Sequence, residues 1–380
     1  MFTELTQLLD SSLKMGIPGY DCVAYHNGEC VYRHWNGVAS LEENTPITGN
    51  ELYNIYSCSK LITCVAALQL YEKGLFSLED ELSKYMPEYA NMSVKEEDGS
   101  IRPAKSPILI KHLFEMTAGF NYSINCNSVL KAKEDTNGKC PTREVIRYLA
   151  NEPLDFDPGT KWQYSLCHDV LAAFVEVISG ERFGEYVKKN IFIPLDMKRS
   201  TFGLDYNLDD VAEQYRYMPA ENETLDNLDP LAKENIGKGE YVNCGKKIVT
   251  YRVGDDYESG GAGCVSTVED YIKFLEAIRI GDILLKKDTT SLLMTNRLNE
   301  EQLKPFWHRE EGYGFSLGTR CPFDDNSGVT DYGWGGAAGA HYLIDPVNNI
   351  TLYYSQHVLS SPNSDVRYAL TKTATDAIIK

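Results

Sequence analysis

The sequence predicts an α/β (α+β) fold: a mainly antiparallel sheet flanked by helices, with an all-helical domain inserted into it. Three observations carry the prediction. Two strand-like runs near the N-terminus flank "NG" at Asn27-Gly28, a two-residue hairpin turn. Strand-like runs return only beyond residue 312. Between the two groups lies a long stretch of helical patterns and polar loops. A sheet built by both chain ends, with an insertion between its halves, accounts for this order. The expected boundaries are 1–75 plus 259–380 for the α/β domain and 76–258 for the mostly helical one.

Taken in order, the opening "MFTELTQLLDSSLKMGIPGYD" places Phe2, Leu5, Leu8, Leu9 and Leu13 on one helical face. Asp21–His26 and Glu29–Trp35 form the hairpin strands. "SKLITCVAALQLYEKG" follows, with Leu61, Cys64, Val65, Leu68 and Tyr71 at helical spacing and Gly74 as a C-terminal stop. Ser106–Phe120 and Asp169–Gly180 read as helices, whereas "KEEDGSIRPAKSP" and "AENETLDNLDPLAKENIGKGE" read as surface loops. "TVEDYIKFLEAIRIG" opens a helix with Thr267 and Glu269 near its cap. The runs "GYGFSLGT", "TDYGWGGAAGAHYLID" and "ITLYYSQH" read as strands, with "DPVNN" as the last turn. A helix over 364–379 closes the chain.

Composition excludes several function classes. A formal charge of −18 speaks against a nucleic-acid partner and against an anionic membrane surface. No run approaches the roughly 20 apolar residues of a membrane span. The N-terminus has no basic region followed by an apolar one, so a cytoplasmic location is expected; a chain exported and trimmed of its leader would read the same. The ten cysteines include no C-x-x-C pair and no His/Cys chelating set, so they read as reduced thiols rather than zinc ligands.

The residues that carry chemistry begin with Ser57 and Lys60, three apart and therefore one helical turn from each other. A serine hydroxyl is a poor nucleophile until a base takes its proton. A lysine serves as that base when desolvation or a neighbouring cation disfavours its charge. The adjacent helix N-terminus offers N–H groups to a developing oxyanion. In "DFDPGTKWQYSLCHDVL", Tyr164 stands at a loop–helix junction, where its phenol can enter a cleft and handle the same proton. In "YGWGGAAGAHYLID", Gly335, Gly336 and Gly339 weaken a strand unless something approaches its backbone closely.

Together these segments resemble the serine β-lactamase-like superfamily of class C β-lactamases, penicillin-binding D-alanyl-D-alanine peptidases and family VIII carboxylesterases. "NIYSCSK" resembles its S-x-x-K motif, "ILIKHLFEMTAGF" its I-x-x-L-L-x-x-T-S-G segment and "FDPGTKWQYS" its P-G-x-x-W-x-Y-S segment. "SGGAGCVSTVEDYIKFLEAI" resembles its G-G-x-x-S-T-x-x-D helix, and "YGWGGAAG" stands where its third motif belongs. The resemblance covers most of the chain in family order and implies a β-lactamase/transpeptidase-like fold. It makes Ser57 the acylated nucleophile, Lys60 and Tyr164 the proton-handling pair with the immediate base left open, and the Ser57 and Ala337 N–H groups the oxyanion hole. Trp334, Gly335 and Gly336 would border the substrate, with Phe120, Tyr122 and Trp162 as further aromatic lining. No metal or organic cofactor is implied, and the partner is a small-molecule ester or amide; the oligomeric state is left unassigned.

Two departures steer the substrate class. Leu166 replaces the asparagine usual in Y-x-N, and Trp334 replaces the cation usual in K-T-G or H-x-G, which helps to bind a substrate carboxylate. Both favour a carboxylesterase or acyl transferase. The alternatives are a β-lactamase or D-alanyl-D-alanine peptidase and a non-catalytic penicillin-binding-like protein; the intact Ser57, Lys60 and Tyr164 argue against the last. "GFSLG" around Ser316 matches G-x-S-x-G, but no amphipathic helix follows it, as a nucleophile elbow requires. His112 and His168 read as structural histidines.

Overall fold

In a computed structural model, residues 2–220, 239–247 and 251–380 are described. Its centre is an eight-stranded sheet. The strands are β1 (Gly19–His26), β2 (Glu29–Ser40), β3 (Thr45–Pro46), β4 (Tyr313–Phe315), β5 (Arg320–Pro322), β6 (Tyr332–Gly335), β7 (His341–Asp345) and β8 (Ile350–Gln356). Their spatial order is β4-β5-β6-β7-β8-β1-β2-β3, every neighbour pair is antiparallel, and Val23 sits between Arg33 and Tyr353. The two chain ends therefore build one sheet, as the element order predicted.

Alternation along β1 decides what each face covers. Tyr20, Cys22 and Ala24 pack with Leu5 and Leu9 of helix α1 (Thr3–Lys14) and with Leu370 and Ala374 of the C-terminal helix (Ser364–Ile379). Val23, between them, faces the opposite core, which holds helices α2 (Ser59–Glu72), α3 (Cys167–Ser179) and α4 (Val268–Ile280). The C-terminal helix is α5. Helix α2 runs through the middle of this core and is buried from Ser59 to Leu68 without a solvent face, rather than along a single stripe. It stops at Lys73, and Gly74 takes the left-handed φ of 69° that the sequence led one to expect. At α4 the Thr267 hydroxyl accepts the Asp270 N–H at 3.1 Å.

Some readings change. Of the helix expected over Ser106–Phe120 only Ile110–Phe114 forms, because Met116 (φ 58°) and Gly119 (φ 93°) turn the chain out of the helical region. The stretch 76–258 is not helical throughout. The segment read as the loop "KEEDGSIRPAKSP" contributes to a hairpin, Ser93–Lys95 with Ile101–Pro103, and Gln214–Met218 pairs with Glu240–Gly245 and with Val358–Leu359. Most of the second expected loop lies outside the described residues. "TDYGWGGAAGAHYLID" is two strands, β6 and β7, joined by a turn at 336–340 in which the Gly339 N–H donates to the Gly336 carbonyl. All ten cysteines are free thiols.

Candidate active site

Ser57 lies one turn before α2, in a 3-10 turn at Tyr56–Cys58. Three contacts pin that turn. The Ile55 N–H donates to the Cys264 carbonyl at 3.1 Å, the Cys264 N–H donates to Ser59 Oγ at 3.0 Å, and Tyr271 of α4 donates its phenol to the Cys58 carbonyl at 2.7 Å. Tyr56, just before the serine, holds a left-handed φ of 46°, which costs a non-glycine residue about 1–2 kcal/mol. Its phenol bonds Gln214 Oε1 at 2.5 Å and its ring meets Tyr251 edge-on, so buried contacts hold the bend.

Lys60 is 1 % exposed. Its Nζ donates to three oxygens: Ser57 Oγ at 3.2 Å, Tyr122 OH at 3.1 Å and the Gly261 carbonyl at 2.6 Å. Tyr164 donates its phenol to Ser57 Oγ at 2.5 Å, and its ring lies 4.7 Å from Lys60 Nζ. Trp334 Nε1 points at the same phenol oxygen from 3.4 Å. The Tyr122 and Tyr164 rings stack at 5.4 Å, and burial, with the neighbouring Tyr164 phenol second, holds the Tyr122 phenol well above its ordinary range.

A second layer fixes Gly261. The Asp169 carboxylate, buried in α3, accepts from Ser259 Oγ at 2.6 Å and from Tyr257 OH at 3.0 Å. Burial raises its pKa, against the Ser259 hydrogen bond and the Lys60 charge. A Cβ on Gly261 would stand 2.5 Å from Asp169 Oδ2 and 3.3 Å from Lys60 Nζ, so only glycine lets this loop bring its carbonyl to the lysine.

Ser57, Tyr122, Tyr164 and the run Trp334–Ala337 all line one cavity of about 600 Å³. The close approach foreseen at the glycines comes from the chain itself: a Cβ on Gly336 would stand 2.4 Å from the Ile55 carbonyl oxygen. This brings the turn after β6 against the Ser57 turn. Neither the Ser57 nor the Ala337 N–H donates a hydrogen bond among the described residues, and both belong to the cavity wall. The structure does not bring Phe120 and Trp162 to that wall. Phe120 packs edge-on against Tyr89, and Trp162 is 2 % exposed among Phe306, Trp307 and Phe315. Ser316 is wholly buried, outside the cavity, with its hydroxyl on the Leu293 and Thr319 carbonyls.

The sequence reading missed several wall residues: Tyr251, Trp307, His308, Arg320, His341 and Arg367. Trp307 packs 5.2 Å from the Tyr164 ring while remaining 61 % exposed. The "PFWHREEGYG" run, which mixes aromatic and charged residues in a loop, was the available signal for Trp307 and His308. Arg320, His341 and Arg367 arrive from distant strands and a helix, and Tyr251 from outside any strand or helix, and none leaves a local pattern.

A family model described as Beta-lactamase matches residues 5–374. Esterase EstB of Burkholderia gladioli is 27% identical over 358 residues, covering 90% of this chain and 86% of its own. A lovastatin esterase of Penicillium rubens is 28% identical over 360 residues, covering 87% and 86%. Among solved structures, the unliganded simvastatin synthase LovD of Aspergillus terreus superposes with a TM-score of 0.76 at 21% identity, covering 99% of this chain and 97% of that one. EstCE1, described as a hydrolase with promiscuous acyltransferase activity, superposes with a TM-score of 0.75 at 22% identity over the same shares. With a family model spanning nearly its whole length and the fold shared end to end, the chain belongs to the beta-lactamase family.

Proposed function

We propose that the protein is a carboxylesterase or acyl transferase working through an acyl group on Ser57. One observation carries the reading: Ser57 Oγ faces a cavity while touching both Tyr164 OH at 2.5 Å and Lys60 Nζ at 3.2 Å. Ser57 Oγ attacks the ester carbonyl carbon, and its proton passes to the Tyr164–Lys60 pair. The negative charge that develops on the carbonyl oxygen is met by the Ser57 and Ala337 N–H groups. The C–O bond then breaks, and the leaving alcohol takes back the proton. Water opens the acyl-serine by the same route in reverse, giving a carboxylic acid and free Ser57; a second alcohol in place of water gives a new ester.

The ester reading over the β-lactam one is supported by Leu166 and Trp334, which stand where an amide and a cation would hold a β-lactam. It is also supported by relatives that bear the name esterase. The test uses p-nitrophenyl acetate and butyrate, a β-lactam and a D-alanyl-D-alanine peptide on wild type and Ser57→Ala. Ester turnover with one acyl group found on Ser57 by mass spectrometry, and neither in Ser57→Ala, is the expected result. Full esterase activity in Ser57→Ala would end the proposal.

A further inference from the structure

The turn that carries the Ala337 N–H is clamped from two sides. On one side Gly336 lies against the Ile55 carbonyl oxygen. On the other, Gly339 holds a φ of 102°, and a Cβ there would stand 2.2 Å from Gln356 Nε2 and 2.3 Å from Gln356 Cγ, so the glutamine side chain lies directly on the glycine. Two residues beyond Gln356, the Val358 N–H donates to the Ala338 carbonyl at 2.9 Å. Gln356 is fully buried at the end of β8, and both ends of its amide are filled. Nε2 donates to Ser361 Oγ at 2.7 Å and to Asn363 Oδ1 at 3.1 Å. Oε1 accepts from Asn363 Nδ2 and from the Tyr354 phenol, each at 2.7 Å. Asn363 stands at the N-cap of α5, yet its side chain makes no cap bond; it reaches instead to Gln356 and to Ser12 Oγ of α1 at 3.0 Å. A buried polar cluster that is satisfied throughout holds its members in one arrangement. No side chain of this cluster lines the cavity.

We propose that Gln356 is a positioning residue for the oxyanion hole: it fixes the Gly339 side of the turn and so sets where the Ala337 N–H stands relative to the Ser57 N–H. This rests on the acyl-serine reading above. Gln356→Met keeps the length of the side chain but leaves Ser361, Asn363 and the Tyr354 phenol each short of a partner in the core. Those groups must rearrange, and the turn that rests on the lost amide relaxes with them. The loss falls on the transition state, where the oxyanion exists, and not on the binding of the ester.

The experiment compares p-nitrophenyl acetate with its thionoester, in which C=S replaces C=O, on wild type, Gln356→Met, Ser361→Ala and Leu68→Ala, with folding checked by circular dichroism. Sulfur is a weak acceptor, so the thionoester gains less from the oxyanion donors. In Gln356→Met, kcat on the ester is expected to fall about tenfold or more, with KM changed by less than about twofold and a smaller loss on the thionoester. Ser361→Ala, which removes one acceptor from the Gln356 amide, shows a smaller loss of the same kind. Leu68→Ala lowers stability elsewhere in the core and keeps the wild-type ratio of ester to thionoester. Unaltered kcat in Gln356→Met, or an equal loss on both substrates, overturns the positioning role and leaves the esterase reading in place. Where Gln356→Met does not fold, Ser361→Ala decides by the same two outcomes. Crystal structures of wild type and the folded variant read the turn without turnover. A turn over 336–340 that shifts from Ile55, with Ser57, Lys60 and Tyr164 in place, supports the role even where wild type hydrolyses neither substrate, an outcome that would defeat only the proposed function. A turn that stays in its wild-type place overturns it.

Discussion

A buried ammonium with no carboxylate in ion-pair range costs a fold several kcal/mol, offset only in part by hydrogen bonds. Among the described residues Lys60 is in that position, with Ser57 Oγ, Tyr122 OH and the Gly261 carbonyl as its acceptors. Replacement by an apolar side chain of similar length removes the desolvation cost. Lys60→Met is therefore expected to leave the urea midpoint unchanged or to raise stability by about 1–4 kcal/mol, while ester turnover falls by about 10³-fold or more. A variant that is both active and less stable would show that the lysine serves packing. Tyr164→Phe, which removes the phenol on Ser57 Oγ, is expected to lose about 10²–10⁴-fold in kcat. Groups that act as one unit are not additive, so the double variant Lys60→Met/Tyr164→Phe falls no further than the worse single. Ser316→Ala keeps its activity and costs about 1 kcal/mol of stability, the worth of a buried hydroxyl bond. Ser57, Lys60 and Tyr164 were legible in the sequence because helix periodicity, turn chemistry and family motifs each mark a short segment. Arg367 and Gly261 were not, since the first gains its place from a cavity that α5 and β5 help to line and the second from a loop that folds its carbonyl onto Lys60. Phe120 and Trp162 mislead for the same reason: composition says aromatic, and only packing says which aromatic faces the cavity.

At the scale of elements, the site depends on two close approaches, α2 through the core and the β6 turn against Ile55. Leu68 of α2 is fully buried. Leu68→Ala is expected to cost about 2–5 kcal/mol by chemical denaturation, because the surrounding core cannot collapse onto the lost methyls. Its effect on kcat should be small while the protein stays folded, since Leu68 lies two turns beyond Lys60. Gly336→Ala works the other way. The added methyl meets the Ile55 carbonyl oxygen, backbone against backbone, and one side must move. That motion separates the Ala337 N–H from the Ser57 turn, so kcat should fall by about 10²-fold, the worth of one oxyanion donor. Unaltered kcat in Gly336→Ala would place the second donor elsewhere. The hairpin at Asn27-Gly28, the Gly74 stop and the Thr267 cap were readable because each rests on local backbone chemistry. The helix expected over Ser106–Phe120 was cut short by Met116 and Gly119, whose positive φ values are imposed by packing that no periodicity reports.

For the molecule as a whole, three buried histidines tie distant segments together in their neutral form. His357 donates from Nδ1 to the Ala212 carbonyl at 2.6 Å and accepts the Asn54 N–H on Nε2 at 3.3 Å, a pairing that only the neutral ring can make. His112 accepts the Leu109 N–H at 3.1 Å, and His168 donates to the Phe114 carbonyl at 3.2 Å. Burial lowers their pKa values to about 4 for His357, about 4 for His112 and about 3 for His168. The folded state therefore stays unprotonated where the unfolded chain, near 6.5, takes up protons. Stability from these groups is complete above about pH 7 and is lost as the pH falls from 6.5 toward 4. Between pH 6.5 and 5.5 each histidine withdraws about 1 kcal/mol, roughly 3 kcal/mol together. The buried Asp169 and Glu115 carboxyls and the half-buried Glu176 carboxyl, whose pKa values are raised chiefly by desolvation, act with the opposite sign and return part of that loss on acidification. Urea unfolding at pH 7.5, 6.5 and 5.5, above the pI near 4.9 where solubility falls, measures the balance. The histidines withdraw only about 1 kcal/mol together between the first two values, so the midpoint is expected to fall slightly there and clearly further at the third. A midpoint that rises on acidification would mean that the carboxyls outweigh the histidines, and that the core is held against acid by its acids rather than opened through its bases.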